Sequence, residues 1–361
     1  MTQRVFNFSA GPAVLPVPVL EEAQRDLLAL PGVGSSVMEL SHRGKAYIKI
    51  QEDAKQRLIS LLNIPDTHDV LFVQGGSRLQ FSMVPMNLLR GTDKTADYIL
   101  TGSWGQKALE EATKEGKTNI AWNGKPSNFN SLPTTSDLKL TEGAAYVHLT
   151  SNETIQGVQF QDEPNIGDVP LVADLSSDFM CRPVDISRYG LIYACAQKNA
   201  GPAGVTVVII RKDLLAQADA NLPGYMVYRN HAENDSMWNT PPTFAIYILG
   251  LVCKWLQDDI GGLVNMRKMN QDKAKLLYDV IDGSNGFYRG HAVPEHRSMM
   301  NVTFKLADEA TDKRFLEEAG KQGLTQLGGH RSVGGVRASI YNAMPVEGVE
   351  KLASFMKSFM Q

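Results

Sequence analysis

The sequence has only three cysteines, Cys181, Cys195 and Cys253, in 361 residues. An odd number in apolar surroundings, without metal-ligand spacing, reads as buried reduced thiols and excludes a disulfide framework. No metal site is expected. A surplus of positive charge is missing too: 36 Lys and Arg stand against 39 Asp and Glu, a net charge of −3. Nothing therefore points to nucleic acid or an anionic membrane as a partner, and any anion must be held by a local cluster. No apolar run reaches the length of a membrane span, and the longest candidate, AIYILGLVCKWLQ, is interrupted by Lys254. The start, MTQRVFNFSAGP, lacks the apolar core of a signal peptide, so a cytoplasmic location is expected. Internal repeats and low-complexity segments are absent. So are two nucleotide signatures. G-x-G-x-x-G does not occur, and GKT at 116–118 has Glu111 where a P-loop needs its first glycine.

What is present is an ordinary enzyme-like composition, 43% apolar and 21% charged. The length exceeds one simple core and predicts a large domain with a smaller one. Apolar runs at 69–73, 97–100, 118–122, 144–149, 169–174, 191–196 and 204–211 read as strands, with helical patterns between several of them, such as 106–116. Strands apolar throughout and alternating with helices predict an α/β fold with a mainly parallel sheet covered on both faces. From Phe244 to Asp282 the pattern is helical. Beyond it the order β-β-α-β-α predicts a small α+β layer. The expected division is 16–265 for the large domain and 1–15 with 266–361 for the small one.

In an open parallel sheet, ligands bind beyond the carboxyl ends of the strands. Those ends carry QGGSRLQ (74–80), TGSWGQ (101–106), TSNETIQG (150–157), Asp174 with LSS, and Gln197-Lys198-Asn199. Lys198 stands between an apolar strand and a Gly/Pro-rich turn. A lysine there is either a solvated charge or a nucleophile held for covalent chemistry. Asp174 is either a helix cap or a charge partner. Together they fit pyridoxal phosphate, PLP, which needs a Schiff-base lysine and an acid at its ring nitrogen. Ser77 and Arg78 open a helix suited to one phosphate, and Trp104 offers a flat partner for the ring.

The chain resembles the phosphoserine aminotransferases, fold-type-I PLP enzymes of class V, almost end to end. The resemblance rests on FNFSAGPAVLP (6–16), SVMELSHRGK (36–45), GGSRLQF (75–81), SNETIQG (151–157), VADLSS (172–177), YACAQKNAGPAG (193–204), NTPPTF (239–244) and VGGVRASIYNAMP (333–345). It implies Lys198 as the Schiff-base and proton-shuttling residue and Asp174 as the pyridinium partner. It further implies Trp104 stacked on the ring, Thr154 on the phenolic oxygen, and Ser77, Arg78 and Gln197 on the cofactor phosphate. Asn239 and Thr240 would reach that phosphate in the neighbouring subunit of a homodimer. His42, Arg43, His330 and Arg331 would surround the substrate phosphate, and Arg337 would clamp its α-carboxylate. The implied reaction moves the amino group of L-glutamate to 3-phosphohydroxypyruvate in serine biosynthesis. Bacterial relatives also serve the phosphohydroxythreonine step of pyridoxine synthesis, and the residues do not decide that extension. Ser77, Leu79 and Ala10 depart from what many relatives carry. The alternatives are another enzyme of the fold, such as an alanine–glyoxylate aminotransferase, or a non-catalytic PLP- or phosphate-binding protein. A cysteine desulfurase needs a mobile reactive thiol, which three apolar-flanked cysteines do not offer.

Overall fold

The computed structural model describes residues 4–218 and 221–361. Residues 1–3 of the expected small domain therefore lie outside the described residues. Strands β1 (Phe6–Asn7), β2 (His68–Val73), β3 (Thr95–Leu100), β4 (Lys117–Asn123) and β5 (Tyr146–Thr150) come first. The short β6 (Asn152–Glu153) and β7 (Val158–Gln159) form a hairpin, followed by β8 (Leu171–Asp174), β9 (Tyr189–Cys195) and β10 (Thr206–Arg211). The last strands are β11 (Arg289–Gly290), β12 (Asn301–Lys305), β13 (Leu324–Thr325) and β14 (Val336–Ser339). The main helices are α1 (Val17–Asp26), α2 (Lys45–Leu62), α3 (Gly76–Leu88), α4 (Ser103–Ala112), α5 (Tyr228–Glu233), α6 (Thr243–Asp258), α7 (Leu263–Asp282), α8 (Glu309–Lys321) and α9 (Val346–Phe359).

All seven strands expected for the large unit form one sheet, in the order β2-β10-β9-β8-β5-β3-β4. Only β10 runs antiparallel to its neighbours, so the sheet is mainly parallel. β8 and β9 are buried at every residue because both faces are covered. One face packs on α2 and α6, through Ala54, Leu58, Ile246, Leu249 and Leu256. Removing each large aliphatic side chain here from water contributes about 1.5–3 kcal/mol. The other face meets α3 and α4 through Phe81, Val84 and Ala108.

A separate core gathers α7 from Ala274 onward, α8, α9 and the sheet β11-β12-β14. Phe8 joins this core, and β1 pairs with β13 in parallel. The N-terminal segment thus sits on the C-terminal unit. The two cores meet along α7, whose Leu263 and Met266 belong to the first and Leu277 to the second. Lys273, 1% exposed, donates to the carbonyls of Ile340, Tyr341, Asn342 and Met344 at 2.8–3.3 Å. Burial lowers its pKa to about 7. The four carbonyls tie α7 to the turn after β14. No helix among the described residues is long and apolar enough to cross a membrane.

Candidate active site

Four adjacent parallel strands, β9, β8, β5 and β3, deliver Lys198, Asp174, Thr154 and Trp104 to one sheet edge. Strand pairing sets their spacing. Asp174 lies opposite Tyr193 of β9 and Thr150 of β5. Lys198 leaves β9 after Cys195, and its Nζ donates to Thr154 Oγ1 at 2.7 Å. Burial disfavours its ammonium, but the acidic groups of Tyr341, Cys195, Asp174 and Glu153 outweigh that and hold its pKa above the ordinary lysine value. Asp174 is 5% exposed and accepts from the Ser176 amide at 2.9 Å. Burial pushes its carboxyl above the usual range, against the pull of Lys198. A buried carboxylate beside a lysine, with one of its bonds made to its own turn, suits a cationic ring nitrogen.

Trp104 presents its ring 5.4 Å from Lys198 Nζ. Its indole Nε1 is buried without a hydrogen-bond partner among the described residues, a donor that an acceptor on a bound group would satisfy. The sequence places a helix over 106–116, whereas α4 begins at Ser103. The reason is a cap from outside the helix. The amides of Trp104 and Gly105 donate to Glu153 at 3.1 and 2.9 Å. Gln156 accepts from the Ser103 amide and donates to its hydroxyl. Gly102 is required by this approach, since a Cβ there would lie 2.4 Å from the Glu153 carboxyl carbon. The 153–156 loop thus sets the Trp104 ring and presents Thr154 to Lys198.

Burial raises the Glu153 pKa from 4.5 to about 7, although two amides favour its charge. A raised carboxyl pKa means that the folded state binds more protons than the unfolded one. Stability then falls as pH rises from about 4.5 to about 7, by roughly 3 kcal/mol. Glu153→Gln should flatten that fall. Melting temperatures of both proteins between pH 5 and 8, run in parallel, check it, and unchanged slopes would refute the assignment.

Gly75 takes φ +91° and starts α3 without a side-chain cap. The first amides of α3 are therefore open to an anion, with the helix dipole behind them. Ser77 Oγ shares a 2.7 Å hydrogen bond with Ser176 Oγ, which in turn accepts from the Cys195 amide. Arg78 is exposed, with its guanidinium 5.9 Å from the Trp104 ring centroid. Gln197 accepts from the Ala13 amide through its carbonyl at 2.9 Å. Asn239 and Thr240 are exposed, and the Thr240 carbonyl accepts from Gln74, the residue before Gly75, at 3.2 Å. Trp238 beside them is 48% exposed.

Arg337 leaves β14 half-buried, and burial lowers its pKa, with Tyr341 opposing. The Tyr341 hydroxyl donates to the Ala10 carbonyl at 2.8 Å. The backbone amide of Asn342 donates to Asn199 Oδ1 at 2.8 Å, which links Arg337's strand to the residue after Lys198. His330 is lowered by burial, then by the charges of Arg337, Lys107 and Arg331. The charges of Arg337, Lys107 and Arg331 thus bear together on His330. His42 and Arg43 stand elsewhere, just before α2, and within this chain no described contact joins them to Lys198. Sequence reasoning missed Glu153, Ser176 and Tyr341. Glu153 and Ser176 lie in strand-end segments that it had marked as polar. The three cysteines are free and buried, Cys253 with its pKa pushed up to about 12 by burial. No group of His, Cys, Asp or Glu among the described residues is placed to hold a metal ion.

A lysine and a buried aspartate at neighbouring strand ends of such a sheet are the arrangement of the fold-type-I class. Residues 5–352 match the aminotransferase class-V family. The chain is 58% identical to the phosphoserine aminotransferase of Rhodopirellula baltica over 358 residues, covering 99% of this chain and 95% of that one. Among solved structures it matches phosphoserine aminotransferase from Bacillus circulans subsp. alkalophilus at TM-score 0.97 and 48% identity, with 99% of both chains covered. The PLP-bound phosphoserine aminotransferase of Trichomonas vaginalis matches at TM-score 0.93 and 42% identity, covering 98% of this chain and all of that one. The chain belongs to the phosphoserine aminotransferases of the class-V aminotransferase family.

Proposed function

We propose that this chain transfers the amino group of L-glutamate to 3-phosphohydroxypyruvate, giving O-phospho-L-serine and 2-oxoglutarate, with PLP as cofactor. The observation that carries the reading is Lys198 on Thr154, beside buried Asp174, under an indole with an orphan donor. When bound, PLP supplies the carbonyl that takes up and releases the amino group and the electron sink for Cα deprotonation. Lys198 would hold it and would carry the proton at substrate Cα. Asp174 holds a proton on the ring nitrogen. Trp104 covers the ring and excludes water, and Thr154 holds the phenolic oxygen. Ser77, Arg78, Gln197 and the first amides of α3 hold the cofactor phosphate.

Asn239 and Thr240 reach the partner subunit's phosphate in a homodimer, a role supported by their exposure next to Trp238. His42 and Arg43, which have no described link to Lys198 in their own chain, serve the partner's substrate site by the same logic. His330 and Arg331 hold the distal phosphate, and Arg337 holds the α-carboxylate, where a planar fork suits two oxygens. The domain division 16–265 against 1–15 with 266–361 belongs to this reading; the cores themselves change over within α7, with Met266 in the first and Ala274 in the second. A cytoplasmic location accompanies this reading.

Charge provides the test. A hydrogen bond to a charged group contributes about 1.5–3 kcal/mol, a roughly ten- to hundredfold loss in efficiency when removed. Arg331→Ala should lose that factor for O-phosphoserine, less for glutamate and little for alanine. Arg337→Ala should impair all three. Half-reaction rates followed by cofactor absorbance compare them, and equal losses for alanine and O-phosphoserine in Arg331→Ala would place the phosphate elsewhere.

A further inference from the structure

Lys107 has no role in the assignments above. It stands one turn after Trp104 on α4, with Nζ 4.4 Å from the indole centroid. Lys198 Nζ at 5.4 Å and the Arg78 guanidinium at 5.9 Å approach the same ring. Lys107 has no ion pair among the described residues. Burial works against its ammonium first, Arg78 and Arg331 add repulsion, and Glu110 and Glu153 only partly oppose them. Its charge is also felt at His330, alongside those of Arg337 and Arg331.

A half-buried ammonium among like charges raises the energy of the empty site. A bound dianion recovers that energy, and it does so more fully than a carboxylate, because a phosphate carries up to about two charges and three acceptor oxygens. The α-carboxylate already has Arg337 as its fork. We propose that Lys107 is a specificity-determining residue that binds the substrate's distal phosphate together with His330 and Arg331. This rests on the aminotransferase reading above. The rival role for Lys107 is to brace the Trp104 ring by cation–π attraction alone. That role would affect every substrate alike.

The test uses the holoenzyme, Lys107→Gln and Lys107→Arg, with Arg331→Ala as reference. The ratio of O-phosphoserine to alanine half-reaction efficiency should fall about ten- to hundredfold in Lys107→Gln and recover largely in Lys107→Arg. Calorimetric binding of 3-phosphoglycerate, which has both anions but no amino or keto group, should weaken by the same factor in Lys107→Gln. Glycerate, lacking the phosphate, sets the baseline. An unchanged ratio in Lys107→Gln, with Arg331→Ala selective for phosphate, overturns the role of Lys107 and leaves the pocket standing. If Arg331→Ala is unselective as well, the phosphate-pocket reading itself fails, and Lys107 with it.

Discussion

Lys198→Ala should retain its fold and lose at least about 10²–10⁴-fold in turnover, the range that a single positioned proton carrier supplies. The fold is expected to survive because the side chain is half-buried and makes one described hydrogen bond, to Thr154. Activity is lost because, among the described residues, Lys198 is the amine that leaves the sheet on the strand paired with Asp174's. Lys107 and Arg78 approach from α4 and α3, and an arginine remains protonated and unreactive. Cofactor phosphate contacts persist, so PLP should still co-purify, without the visible absorbance of a lysine-bound cofactor. The same variant tests the shared site. Mixed with Asn239→Ala/Thr240→Ala protein, in which PLP retention should be weakened, it should regain part of the activity through hybrid dimers that carry one intact site. Near-wild-type turnover in Lys198→Ala, or no recovery after verified subunit exchange, would count against the respective assignment.

Asp174→Asn should slow both half-reactions by roughly 10²–10⁴-fold. Asparagine keeps an oxygen for the Ser176 amide, now accepted at 2.9 Å, so the turn after β8 remains closed. What it loses is the charge that, in the proposed role, holds a proton on the ring nitrogen. The stability of the cofactor-free protein should move the opposite way. Burial raises the Asp174 pKa above 3.8, so ionisation above that pH destabilises the folded state, and stability falls as pH rises. The asparagine has no proton to lose. Cofactor-free Asp174→Asn should therefore melt higher than the parent at pH 7–8, with the difference shrinking towards pH 4. Activity near that of the parent would reduce Asp174 to a turn-stabilising residue, for which Asn serves equally well.

The sequence by itself determined the sheet and its working edge. Strands buried on both faces are mostly apolar, and β8, β9 and β10 could be read from the runs at 169–174, 191–196 and 204–211. It also marked Lys198, Asp174 and Trp104 as candidates, since each stands at or just past a strand end of one parallel sheet. What tertiary structure alone decided is how these groups are held. Glu153 caps α4 from 49 residues away, and that cap, invisible to helix periodicity, moves the helix start to Ser103 and orients Trp104. Lys273 gathers the carbonyls of a turn 67–71 residues away in sequence. The field around Lys107 arises from α3, α4 and the loop before β14 together. Propensity and periodicity report on neighbours in sequence. A buried carboxylate's acidity or an ammonium's missing partner depends on neighbours in space, and only the packed fold supplies them.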